Sequence, residues 1–172
     1  RVAEQVLVPA MVNLDAFYVS HAMEPVSVPP QSMVDAYLPP FNPPHKLDTE
    51  HVESWGNVVT QDMFYRHRKE LGEAMDRVPA LTAQADLAWA ERTGRSYGVV
   101  ERYRCDGAQT VIVTMGSMCG TAREAVDLLR DAGHAVGLLK IRLFRPLPVQ
   151  AITESLVGVD QVVVLDRNYS PG

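Results

Sequence analysis

Cysteine is scarce in this chain of 172 residues: there are two, Cys105 and Cys119. Neither belongs to a C-x-x-C pair. The chain alone therefore cannot build a disulfide framework, an all-cysteine cluster or a cysteine zinc site, and the usage suits a reducing cytoplasm. Long apolar runs are missing too, since none reaches the roughly 18 residues of a membrane-spanning helix. Positive charge is not in excess: 16 Lys and Arg stand against 21 Asp and Glu, a net charge of −5. That argues against nucleic acid or an anionic membrane as the main partner. Aromatic residues make up 7% of the chain and are not interleaved with basic ones as in a single-strand-binding groove. No histidine pair has metal-ligand spacing. A cleavable signal peptide is lacking, the first residue is Arg1 within what reads as the tail of a helix, and Ser170-Pro171-Gly172 follow a strand pattern directly. The expectation is a fragment of something longer.

What is present is 47% hydrophobic and 22% charged, the composition of a globular protein able to bury a core. The organising stretch is Thr110–Pro148. An apolar β-branched run, Thr110–Met115, meets the small-residue turn Gly116-Ser117-Met118-Cys119-Gly120. An amphipathic segment follows, stopped by Gly133, and then a second apolar run from Ala135 to Phe144. That pattern is strand, crossover helix and parallel strand. A helix over Val149–Leu156, opened by Pro146 and Pro148, and a third run at Gln161–Leu165 extend it to βαβαβ. The predicted crossover helix buries Met118, Ala122, Ala125, Val126 and Leu129. Its N-cap is Ser117 or Thr121, the latter with capping-box spacing to Glu124. Val99–Cys105 alternates and reads as an edge strand before the Asp106-Gly107 turn.

Upstream, Thr60–Thr93 is the longest helical signal, with Phe64, His67, Leu71, Met75, Val78, Leu81, Ala85 and Trp89 on one stripe. Pro79 predicts a kink or two helices, and the helix is expected to pack on its own sheet. Glu24–Val59 holds seven of the twelve prolines and reads as a strap lying on a protein surface, with a short helical turn near Val34–Phe41. His45 and His51 in this strap read as solvated rather than metal-bound. Val6–Val19 is apolar and β-rich and reads as a buried strand beginning near Pro9, belonging to a sheet elsewhere. Asp15 and His21 flank its end, where α/β proteins often place active-site groups, or serve as turn and interface residues. Three segments result: 1–23, the last strand of a preceding, mostly absent domain; 24–59, the strap; and 60–172, an α/β domain.

The turn Gly116–Gly120 offers two readings. A strand-to-helix turn of small residues exposes amides at a positive helix end, which suits a phosphate. Gly116, Ser117 and Gly120, with Arg142 at the end of the next strand, are then candidates to hold a nucleotide or coenzyme A. Against this, G-x-x-x-G is neither the dinucleotide fingerprint nor a Walker sequence. Lys140, Arg142 and Arg145 stand where a ribose-binding acid would be needed, and salt bridges to a neighbouring domain would use them equally well. Ser117 does not lie in a G-x-S-x-G elbow. Cys119 at a helix start is either a thiol of lowered pKa or a small buried residue, the second being the commoner role.

Several pieces taken together are specific: Met11–Val26, Leu-Pro-Pro-Phe at 38–41, Gly-Arg-Ser-Tyr-Gly at 94–98, Val113–Ala122 and Lys140–Pro148. In order and over essentially the whole chain, they closely resemble α subunits of the 2-oxoacid:ferredoxin oxidoreductases, pyruvate type. The resemblance implies that Arg1–His21 ends a pyrimidine-type thiamine-diphosphate domain. It also implies that residues from about Val59 onward form a transketolase C-terminal-like domain. Family members decarboxylate a 2-oxoacid on thiamine diphosphate with Mg2+, pass electrons through [4Fe–4S] clusters to ferredoxin, and form acyl-coenzyme A. The family's thiamine-contacting residues and cluster cysteines match no position here, so no catalytic or metal residue is carried over and the fragment alone is expected to be inactive. The implied role is structural. Asp15, His21, Arg142 and Arg145 are interface candidates, and the partners are the remaining domains and subunits, with ferredoxin for the whole enzyme.

Overall fold

In a computed structural model the described residues are 1–56 and 58–168. The Ser170-Pro171-Gly172 end lies outside them. The chain divides into two compact units: Arg1–Met11 with Ser27–Gly94, and Val12–Val26 with Arg95–Gly172.

The second unit is built on a sheet of four strands: β1 (Val100–Tyr103), β2 (Thr110–Thr114), β3 (Val136–Ile141) and β4 (Gln161–Val164). They lie in the order β1-β3-β2-β4. β2 pairs in parallel with β3 and with β4, while β1 runs antiparallel along β3. The crossovers are α4 (Met118–Asp131) and α5 (Val149–Ser155). The βαβαβ reading and the edge strand are both observed.

Strand periodicity decides which helix covers which face. Leu138 packs with Ala122 and Val126 of α4. Leu139, one residue on, turns to the other face with Val111, Cys105 and the α5 residue Ile152. Both faces are thereby covered, which is why β2 and β3 are apolar nearly throughout. Burying a side chain such as Leu139, with 0% of its surface exposed, contributes about 1.5–3 kcal/mol. Gly137 in β3 is required by close approach: a Cβ there would meet the Arg104 carbonyl oxygen at 2.8 Å and the Cys105 Cα at 2.9 Å. The buried Thr114 hydroxyl donates to the Leu165 carbonyl (2.8 Å) and ties the end of β2 to the residue after β4.

The first unit is helical: α1 (Val2–Val6), α2 (Gln31–Tyr37) and the 33-residue α3 (Gln61–Thr93). α3 runs without interruption through Pro79 and stops at Gly94, which is left-handed with φ 69°. Of the two alternatives at Pro79, a division into two helices does not occur. Ala74, Val78 and Ala85 are buried on either side of the proline, and packing outweighs the single hydrogen bond that proline removes. The partners of α3 within its unit are α1 and α2, in place of the expected sheet. Its stripe is in use from Leu71 onward, whereas Phe64 and His67 are exposed. Tyr37 fastens α2 to α3: its hydroxyl donates to the Ala85 carbonyl (3.1 Å) and its ring meets Trp89 edge-on. The rest of 24–56 has no regular helix or strand. There His45 faces Glu53 (3.6 Å) and His51 faces Asp48 (3.4 Å), with both imidazoles well exposed.

The expected strand at Val6–Val19 is corrected. Val6 closes α1, Leu7 is left-handed at φ 56°, and 8–15 carry no regular structure. A strand exists only where a neighbour satisfies its amides and carbonyls, and no described strand pairs with this segment. Among the described residues no helix is long and apolar enough to cross a membrane.

Candidate functional site

β2 ends at Thr114 and the chain turns through Gly116 into α4. Because β3 lies on one side of β2 and β4 on the other, this turn sits at the point where the sheet's winding reverses. That is where open α/β sheets usually bind ligands. Gly116 is left-handed, with φ +69°. Its missing Cβ also makes room for Asp15, whose Oδ2 would lie 2.9 Å from that atom.

Asp15 occupies the turn. Its carboxylate accepts the Ser117 amide at 2.6 Å. The Ser117 hydroxyl and then this amide hold the Asp15 carboxyl below the usual carboxylate range. An internal carboxylate thus takes the position at the helix start where the sequence placed a phosphate, and it fixes the 12–26 segment to its own unit. Ser117 is the N-cap residue of α4, while Thr121 lies inside the helix and makes no capping box. Gly120, in the first turn, has a negative φ and open space where a Cβ would be.

The other candidates separate. Arg142 is neutralised within the unit: its guanidinium lies 3.6 Å from Glu101 and 4.6 Å from the centre of the Tyr97 ring. Arg145 is exposed and makes no ion pair among the described residues. His21 stacks on Phe17 (4.7 Å) and bonds the Ser20 hydroxyl through Nδ1 (2.8 Å), so its contacts are local. Cys119 is buried, and burial pushes its thiol up, opposite to the activated thiol that a helix start can give.

The most charged arrangement centres on residues that the motif reading passed over. Glu101 and Tyr103 point to one face of β1, and Arg123 and Asp127, one turn apart on α4, meet them. Tyr103 donates its hydroxyl to Asp127 (2.7 Å), and Arg104 bonds the same carboxylate at 2.6 Å. These bonds lower the Asp127 carboxyl, with Tyr103 the larger cause, and raise the Tyr103 hydroxyl. Glu101 accepts from Arg123 at 2.7 Å, and Lys140, its register partner on β3, lies 3.7 Å away. Beside them is a cavity of about 240 Å³, lined by Glu101, Arg123, Lys140, Ser117 and Gly120 among others. The available signal was the pairing of two polar positions on a strand with two on a helix at i, i+4, which sequence alone does not bring together.

Comparison with known proteins decides the family. The model for pyruvate flavodoxin/ferredoxin oxidoreductase, thiamine-diphosphate-binding, matches residues 1–86. That for pyruvate:ferredoxin oxidoreductase core domain II matches 108–172. The chain belongs to the pyruvate flavodoxin/ferredoxin oxidoreductase family. It is 44% identical over 99% of its length to pyruvate synthase subunit PorA of Methanothermobacter thermautotrophicus, covering 45% of that protein. To ketoisovalerate oxidoreductase subunit VorA of Pyrococcus abyssi it is 40% identical over 100% of its length, covering 44% of that protein. It thus spans less than half the length of these relatives. A solved 2-oxoglutarate:ferredoxin oxidoreductase from Magnetococcus marinus shares the fold, with TM-score 0.52 and 21% identity over 70% of this chain and 19% of that one.

A [4Fe–4S] cluster takes four thiolates, and this chain has two cysteines. No three His, Cys, Asp or Glu side chains converge among the described residues. The chain's own cysteines are therefore too few to complete such a cluster.

Proposed function

We propose that this chain is the structural, inter-subunit portion of a 2-oxoacid:ferredoxin oxidoreductase of the pyruvate type. The whole enzyme would convert a 2-oxoacid, coenzyme A and two oxidised ferredoxins into acyl-coenzyme A, CO2, a proton and two reduced ferredoxins. Thiamine diphosphate, Mg2+ and [4Fe–4S] clusters would be held largely by other segments. The observation that carries this is the 44% identity to PorA over nearly the whole chain. The parallel β2-α4-β3-α5-β4 order supports reading the sheet unit as transketolase C-terminal-like, and 24–59 is proposed as the strap. The structural role is supported by how the candidate residues are used: Asp15 fills the glycine turn and Glu101 engages Arg142. The apolar, exposed stretch from Met11 to Val28 fits a surface covered by other domains or subunits.

The test uses the full-length protein assembled with its partner subunits. Reduction of ferredoxin or a viologen dye is followed with coenzyme A and either pyruvate or 2-oxoisovalerate, the substrate that the VorA relative's name points to. Pyruvate-driven reduction is expected. Arg142→Ala should lower the yield of assembled complex while leaving kcat per complex unchanged. Full assembly with a raised KM for coenzyme A would instead make the glycine turn and Arg142 a cofactor site.

A further inference from the structure

We draw no further inference here: the strongest candidate, the open edge of β4 with its exposed Val162 and Val164, is an unpartnered apolar sheet edge, and nothing among the described residues shows what covers it.

Discussion

Val111 and Val12 are the same residue in the same unit, yet one is 0% exposed and the other 88%. Val111 lies in β2 between two parallel neighbours, with helices over both faces of the sheet. Val12 lies in a stretch as rich in β-forming residues but without a strand beside it. Strand propensity measures how well a side chain fits a pleated, half-buried surface, and it cannot supply the backbone partners that create that surface. The difference locates where this chain is self-sufficient. The largest effect that would expose it is in the sheet. Leu139→Ala should destabilise the unit by about 2–5 kcal/mol, and Val12→Ala by less than about 0.5 kcal/mol, both by equilibrium denaturation of this chain. If Val12→Ala in the full-length protein costs as much as a core substitution, the stretch is paired there, and the contrast belongs to the fragment alone.

The two regions meet at Asp15, and the next prediction breaks that link. Gly116→Ala forces a Cβ into a left-handed residue and against the Asp15 carboxylate. We expect a loss of about 1 kcal/mol or more, with faster hydrogen exchange of the Ser117 amide. Unchanged exchange would mean that Asp15 moves aside without releasing Ser117.

Much of the sheet unit was legible because its signals are local. Gly133 after an amphipathic run, Pro148 before a helix, and two β-branched runs each report on their own neighbourhood, and together they specify βαβαβ. What was illegible depended on distance. Asp15 and Ser117 are 102 residues apart, and a carboxylate taking the anion's place at a helix start leaves no mark in the Gly116–Gly120 motif itself. Glu101 gained three cationic neighbours only through the β1–β3 register and the packing of α4. The Val6–Val19 strand and the two-helix reading at Pro79 failed in opposite directions. The first had propensity without a partner, and the second had a local penalty that burial on both sides overcame.

Acid sharpens the comparison further. The Asp15 carboxyl is held below its ordinary value by the Ser117 hydroxyl and amide, so it binds a proton more readily in the unfolded chain. Its contribution is therefore complete above the unfolded value, about 3.9, and is lost as the pH falls through the folded value. Asp15→Asn should thus release the 12–26 segment at neutral pH, seen as faster proteolysis there. The gap from the unsubstituted protein should close as the solution is made strongly acidic. A gap that persists unchanged in acid would assign Asp15 a packing role without charge.

The smallest effect separates the two glycines of the turn. Gly116 is required by its conformation and by Asp15, whereas Gly120 is required by nothing among the described residues: its φ is negative and its Cβ would meet none of their atoms outside its own helix within 4 Å. A glycine in a helix costs about 0.5–1 kcal/mol relative to alanine. Gly120→Ala should therefore stabilise α4 by that amount, read as a higher denaturation midpoint with an unchanged slope. A gain accompanied by weaker subunit assembly would mean that another surface approaches the helix there. A loss of stability would show that the first turn of α4 is tighter than its surroundings indicate, and that the two glycines do the same work.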